Sequence, residues 1–174
     1  MFPDAFQTPR LLLRPLAPDD AQPIFDGYAQ DPEVSRYLTW RPHTAIEQTR
    51  AYIEACMASS AIRTYALLRR DNGQLVGAFD LRQQSPTGLS YGYVLARQAW
   101  GSGLMTEVLR HAVDWALAQP SIWRIGSVCD VENGASARVM EKAGLVREGV
   151  LRRWLVCPNL GDEPRDCVSY ARVR

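Results

Sequence analysis

The chain has 174 residues, 47% of them hydrophobic and 22% charged, enough apolar material for one sizeable core and too much for a disordered chain. Twenty basic residues stand against nineteen acidic ones, so the formal charge of +1 excludes the strong positive field of a dedicated nucleic-acid binder. The four cysteines Cys56, Cys129, Cys157 and Cys167 form no CxxC pair and keep no histidine company, which excludes a zinc framework.

Met1 to Arg10 carries no basic region followed by an apolar one, and no apolar run approaches the roughly 18 to 20 residues of a membrane span, so a cytoplasmic protein with reduced thiols and no membrane partner is expected. The composition predicts a single domain over 1–174. Lys142 is the one lysine among the basic residues, a bias that either arginine's planar fork or genome composition produces.

Leu11 to Arg14, stopped by Pro15, predicts a first strand at a sheet edge. Ala17-Pro18-Asp19-Asp20 and Asp31-Pro32-Glu33 both read as helix starts, with carboxylates at the positive end of the dipole. Thr44 and Glu47 have capping-box spacing ahead of a helix that carries Ile46, Tyr52, Ile53 and Met57 to about Ser59. The period then changes. Tyr65-Ala66-Leu67-Leu68 and Leu75 to Phe79 flank the turn Asp71-Asn72-Gly73, and Ser85-Pro86-Thr87-Gly88 precedes a strand over Leu89–Ala96, which makes a three-stranded meander.

Gln98-Ala99-Trp100-Gly101-Ser102-Gly103 then leads into a helix over Leu104–Ala118 ended by Gln119-Pro120. Trp123–Cys129 reads as a strand, Asn133–Ala143 as a short helix closed by Gly144, and the remainder as strands around Pro158-Asn159-Leu160-Gly161.

Strand, glycine loop and helix in succession make the most informative unit. A helix N-terminus presents backbone N–H groups without intrahelical partners, the dipole adds positive charge, and glycines let a phosphate approach the chain. The same GxG also serves as a plain strand-to-helix turn. A Rossmann fingerprint lacks its third glycine here, and a Walker loop lacks Gly-Lys-Ser/Thr.

Gln98-x-x-Gly101-x-Gly103 resembles the acetyl-CoA loop of the GNAT (Gcn5-related N-acetyltransferase) superfamily, and Asn133-Gly134-Ala135-Ser136 through Glu141-Lys142-Ala143-Gly144-Leu145 resembles its second motif. Thr8-Pro9-Arg10-Leu11, Tyr91-Gly92-Tyr93 and Trp100 to Glu107 are similar to the RimJ/RimL-like branch. The resemblance spans nearly the whole chain. It implies a mixed α/β (α+β) GNAT fold with a mostly antiparallel twisted sheet of six to seven strands, about four helices, and a V-shaped splay between the fourth and fifth strands, here Leu89–Ala96 and Trp123–Cys129.

The resemblance further implies acetyl-CoA as cosubstrate, with no metal, and direct transfer of its acetyl group to a primary amine in a ternary complex, at a protein N-terminus or on a small molecule. Backbone of Val94, Leu95 and Ala96 would pair with the pantetheine, and the amides of Gln98, Ala99, Trp100, Gly101, Ser102, Gly103 and Leu104 would hold the pyrophosphate. Asn133 would bond the pantetheine, or cap the next helix, or both. Arg97 or Arg138 would assist at the phosphates.

Many relatives use a tyrosine to protonate the leaving thiolate where this chain has Met140; the branch instead implies Ser136, a residue that also suits a helix first turn. The strand carboxylate that serves as base in many relatives is missing from Leu89-Ser90-Tyr91-Gly92-Tyr93, so Asp80 is the substitute on the neighbouring strand, unless it merely supports a turn. Tyr37, Trp40, Arg41 and Tyr91 are the candidate acceptor contacts. Glu107 reads as structural. His43 borders the acceptor loop, and the branch implies a homodimer.

Two rival readings follow: a CoA-binding module without catalysis, motivated by Met140 and the missing carboxylate, and a nucleic-acid binder using Arg69-Arg70 and Arg152-Arg153, opposed by the near-neutral charge, so that no direct nucleic-acid partner is expected.

Overall fold

A computed structural model describes residues 2–174. Among these, eight strands form one sheet: β1 (Phe6–Gln7), β2 (Leu11–Pro15), β3 (Ile62–Arg69), β4 (Leu75–Ser85), β5 (Gly88–Leu95), β6 (Arg124–Asp130), β7 (Val146–Val156) and β8 (Pro164–Val173), in the order β1-β2-β3-β4-β5-β6-β8-β7. Five α-helices accompany them: α1 (Ala21–Ile24), α2 (Pro32–Ser35), α3 (Ile46–Ala58), α4 (Leu104–Ala118) and α5 (Gly134–Lys142). The sheet exceeds the expected strand count because the two residues of β1 pair with Leu12 and Leu13, a contact too short to show as a period.

The meander β3-β4-β5 is antiparallel throughout, turned at Gly73 with φ +73° and again before Gly88. Every other neighbouring pair is antiparallel except β5 with β6, which run parallel. Side chains alternate between the two faces. Tyr65, Leu67, Phe79, Leu81, Tyr91 and Ile125 enter a core with the apolar stripe of α4 and with Met140 of α5. Ala66 and Ala96 go the other way, into a second core with Ile24 and Tyr28 near α1 and Ile53 of α3. No helix among the described residues is long and apolar enough to cross a membrane.

Local starts follow the chemistry read from the sequence, with one shift. Asp31 caps α2 by accepting from the Glu33 amide at 2.9 Å. At α3 the side chain that reaches back is Gln48, whose Oε1 accepts from the amides of Thr44 at 2.7 Å and Ala45 at 3.2 Å, so the capping register lies one residue later than the Thr44–Glu47 pair predicts. The carboxylate Asp20 accepts from the Ala17 amide at 2.8 Å and is held by Arg14.

Candidate active site

The site begins where two strands part. β5 and β6 pair only at Gly88–Arg124, Leu89–Ile125 and Ser90–Gly126. Beyond that point the Ser127 hydroxyl donates to the Tyr91 carbonyl at 2.8 Å, and the strands run on without further pairing. A cleft of about 1600 Å³ opens there, lined by residues from both faces of the sheet.

On the α4/α5 face the lining includes Trp100, Gly101, Gly103, Leu104, Asn133, Ser136 and Arg138. Gly101 and Gly103 take φ of +70° and +76°, dihedrals that side chains rarely adopt, and the amides of Gly101, Ser102 and Gly103 meet no protein acceptor among the described residues. With the unpaired first turn of the 15-residue α4 they form a cradle of uncovered donors, which fits a pyrophosphate. Arg10 braces the loop: its Nη1 donates to the Ser102 carbonyl at 2.8 Å, while Glu107 accepts from the Arg10 amide and Nε at 2.9 and 2.7 Å. Burial alone would raise the Glu107 carboxyl, but hydrogen bonds from Thr8 and Arg10 outweigh it and hold it below the usual range. The structural reading of Glu107 is thus met, through a partner 97 residues away.

The rest of the predicted donor site divides. Asn133 caps α5, its Oδ1 accepting from the Ser136 amide at 3.1 Å. Ser136 faces the cleft and sits 2.7 Å from the Tyr93 hydroxyl. Tyr93, Val94 and Leu95 line the opening, although the Leu95 carbonyl already accepts from the Trp100 indole at 2.7 Å. Ala96 is a correction: it is fully buried, its amide donates to Val76 and its carbonyl accepts from Ala99, so no backbone group is left over for a ligand. Gln98 is exposed on the turn Arg97–Ala99, outside the lining. The buried Ala99 lines the cleft, whereas Ser102 turns its hydroxyl back onto the Ala99 carbonyl at 2.6 Å. Arg97 forks onto Asp31 rather than toward the loop, which leaves Arg138 as the arginine of that pair in the cleft.

Asp80 stands on the opposite face, with Gly92 and Ser90. Its two carboxylate oxygens accept from Arg82 Nε and Nη2 at 2.6 and 2.9 Å. A Cβ at Gly92 would lie 2.6 Å from Arg82 Nη2 and 2.8 Å from Asp80 Oδ2, so only glycine lets this ion pair lie across β5. Tyr37, Trp40 and Tyr52 line the same cleft. His43 bonds Thr49 at 2.7 Å and packs on the Trp40 ring; burial lowers its imidazole pKa.

Two predicted acceptor contacts are corrected. Arg41 points away toward Asp162 at 3.6 Å and does not line the cleft, because it sits on an exposed loop. Tyr91 has the parity of Tyr93, not of Gly92, so it stacks between Phe79 and Tyr93 in the α4/α5 core, 2% exposed, with its buried hydroxyl unpartnered. Tyr93 and Arg82 are the residues that sequence reasoning missed. Each shares a strand face with a residue that was singled out, two positions away, and that parity was the available signal.

A family model described as an acetyltransferase (GNAT) domain matches residues 10–146. The N-acetyltransferase YoaA of Bacillus subtilis (strain 168), whose function is uncharacterised, is 33% identical over 161 residues, covering 89% of both chains. Among solved structures, the microcin self-immunity acetyltransferase MccE, in complex with acetyl-CoA and AMP, superposes with a TM-score of 0.88 at 18% identity over 99% of this chain and 98% of that one. The ribosomal-protein α-N-acetyltransferase RimL, in complex with coenzyme A, gives 0.83 at 19% identity over 97% of each. The splayed strands, the amide cradle and the match over most of its length agree: this chain belongs to the GNAT acetyltransferases, enzymes that take acetyl-CoA as their donor.

Proposed function

We propose that the enzyme moves the acetyl group of acetyl-CoA directly to a primary amine, at a peptide N-terminus or on a small molecule, within a ternary complex. The carrying observation is a cleft that passes between β5 and β6, with uncovered amides on one face and a carboxylate among aromatic rings on the other. Acetyl-CoA supplies an activated thioester. The loop Gly101–Gly103 and the start of α4 bind its phosphates, and the open edge of β5 at Tyr93 and Leu95 aligns its arm, since the Val94 backbone faces β4.

On the far face, Asp80 anchors the amine and takes its proton through water, its carboxylate aimed by Arg82. Ser136 donates to the sulfur as the acetyl group leaves. Glu33 and Asp80 balance Arg36 and Arg82 in the lining, so no net negative field selects a polycation. Aromatic Tyr37, Trp40 and Tyr52 favour an amine carried on an apolar or planar body.

The test is a panel of peptides, amino acids, polyamines and aromatic amines incubated with acetyl-CoA. Enzyme-dependent CoA release with an acetylated product seen by mass spectrometry is expected. CoA binding without any acetylated product would overturn the reading.

A further inference from the structure

Ser136 does not stand alone at the start of α5. Tyr93 reaches it from β5, beyond the last β5–β6 pair, with the two hydroxyl oxygens 2.7 Å apart. The Tyr93 ring is fixed by parallel stacking on Tyr91, at 6.4 Å between centroids and 9° between planes. Met140, at the position where many superfamily members carry a tyrosine, is 1% exposed and has no proton to give. A phenol from the neighbouring strand thus meets the serine from the other side.

A hydroxyl has one proton and two lone pairs. Either hydroxyl can donate across this contact, but a phenol is much the stronger acid of the two, which favours Tyr93 as donor and Ser136 as acceptor and frees the serine's own proton. Resting on the acetyl-transfer reading above, we propose that Tyr93 is a positioning residue: its O–H occupies a lone pair of Ser136 Oγ and turns the Ser136 proton toward the sulfur that leaves the acetyl group.

Neither hydroxyl gives up its proton for good. Burial pushes the Tyr93 phenol up to about 12, and passing its proton to a thiolate of ordinary acidity, about 8.5, runs uphill about three thousandfold. The balance is therefore simple. The N–C bond forms as the C–S bond breaks, the amine loses one proton through Asp80 and water, and the sulfur departs as a thiolate held by the Ser136 O–H until solvent protonates it.

The neighbouring thiol and phenol do not supply a proton at neutral pH. Cys129 on β6 is pushed up to about 11 by burial, and burial also keeps the Tyr91 phenol protonated. Glu141 is held by the Tyr170 hydroxyl at 2.9 Å, and Asp130 by Arg165.

Tyr93→Phe keeps the ring and removes the donor. With the full-length enzyme, kcat is expected to fall about tenfold while acetyl-CoA affinity stays within about twofold, and the loss should vanish in a Ser136→Ala background. A second readout needs no acetyl transfer: the thiol of bound CoA, titrated by thiolate absorbance against bound desulfo-CoA, should shift upward by about one unit in Tyr93→Phe. An unchanged kcat with an unchanged thiol titration, or a loss fully additive with Ser136→Ala, would overturn the assignment. An enzyme that binds CoA but acetylates no amine would break the proposed function and leave the thiol titration to decide this inference. Failure to bind CoA would break both.

Discussion

The two faces of the sheet build their halves of the cleft from different materials. On the α4/α5 face, the cradle of uncovered amides is backbone, contributed by the consecutive residues Gly101–Gly103 and the start of α4. On the α1/α3 face, the floor is side chain, gathered from Tyr37 and Trp40 before α3, Tyr52 within it, and Asp80 and Arg82 on β4. A backbone site needs a particular local path and tolerates changes around it. A side-chain site can be respecified one residue at a time. Such a division lets a donor shared across a family meet acceptors that differ between members.

If the faces divide the labour, substitutions should separate along the same line. The largest effect is expected at Ser136→Ala, with turnover lowered about a hundredfold and CoA affinity nearly unchanged, measured by initial rates of CoA release and by calorimetry. Equal turnover in variant and parent would remove the serine from the chemistry. Gly103→Val forces a branched side chain into a φ of +76° and crowds the amide cradle, so the Kd for CoA should rise about tenfold or more while the acceptor KM stays put. A rise in acceptor KM instead would blur the two faces.

Asp80→Asn supplies the reverse control. It keeps the shape but leaves Arg82 without its charge partner, and kcat/KM for the amine should fall about tenfold with no change in CoA binding. The smallest effect is expected at the brace behind the loop. Glu107→Gln weakens the Arg10 clasp, a cost of about 1 kcal/mol given that Arg10 is half exposed. Because the folded carboxyl is held below its ordinary range, that stabilisation is fully present above the ordinary glutamate pKa of about 4.3 and is lost as the pH falls through the lowered value. Denaturant midpoints of parent and variant should therefore differ at pH 7 and converge in acid.

The glycine loop, the turn at Gly73, the Asn133 cap and the meander were legible because each depends on residues close together in sequence. Ala96 was misread as a ligand partner for the opposite reason: its amide and carbonyl are claimed by Val76 and Ala99, an accounting that strand prediction does not contain. Tyr91 reads from sequence as an acceptor contact, yet strand parity sends it to the face opposite Gly92. Arg41 and Arg97 looked available as cations and are engaged by Asp162 and Asp31.

Sequence by itself determined the family, the cosubstrate and the glycine turn into α4, since backbone dihedrals and helix starts are local properties written in short motifs. Only the tertiary structure decided which side chains share the cleft. It set Tyr93 against Ser136, 43 residues apart, clasped Arg10 to Glu107 across 97, and placed Asp80 and Ser136 on opposite faces. Those relations follow from which strands pair, where β5 and β6 stop pairing, and which way each side chain points from the pleat. Pairing and register belong to the whole sheet, and no short stretch of chain specifies them.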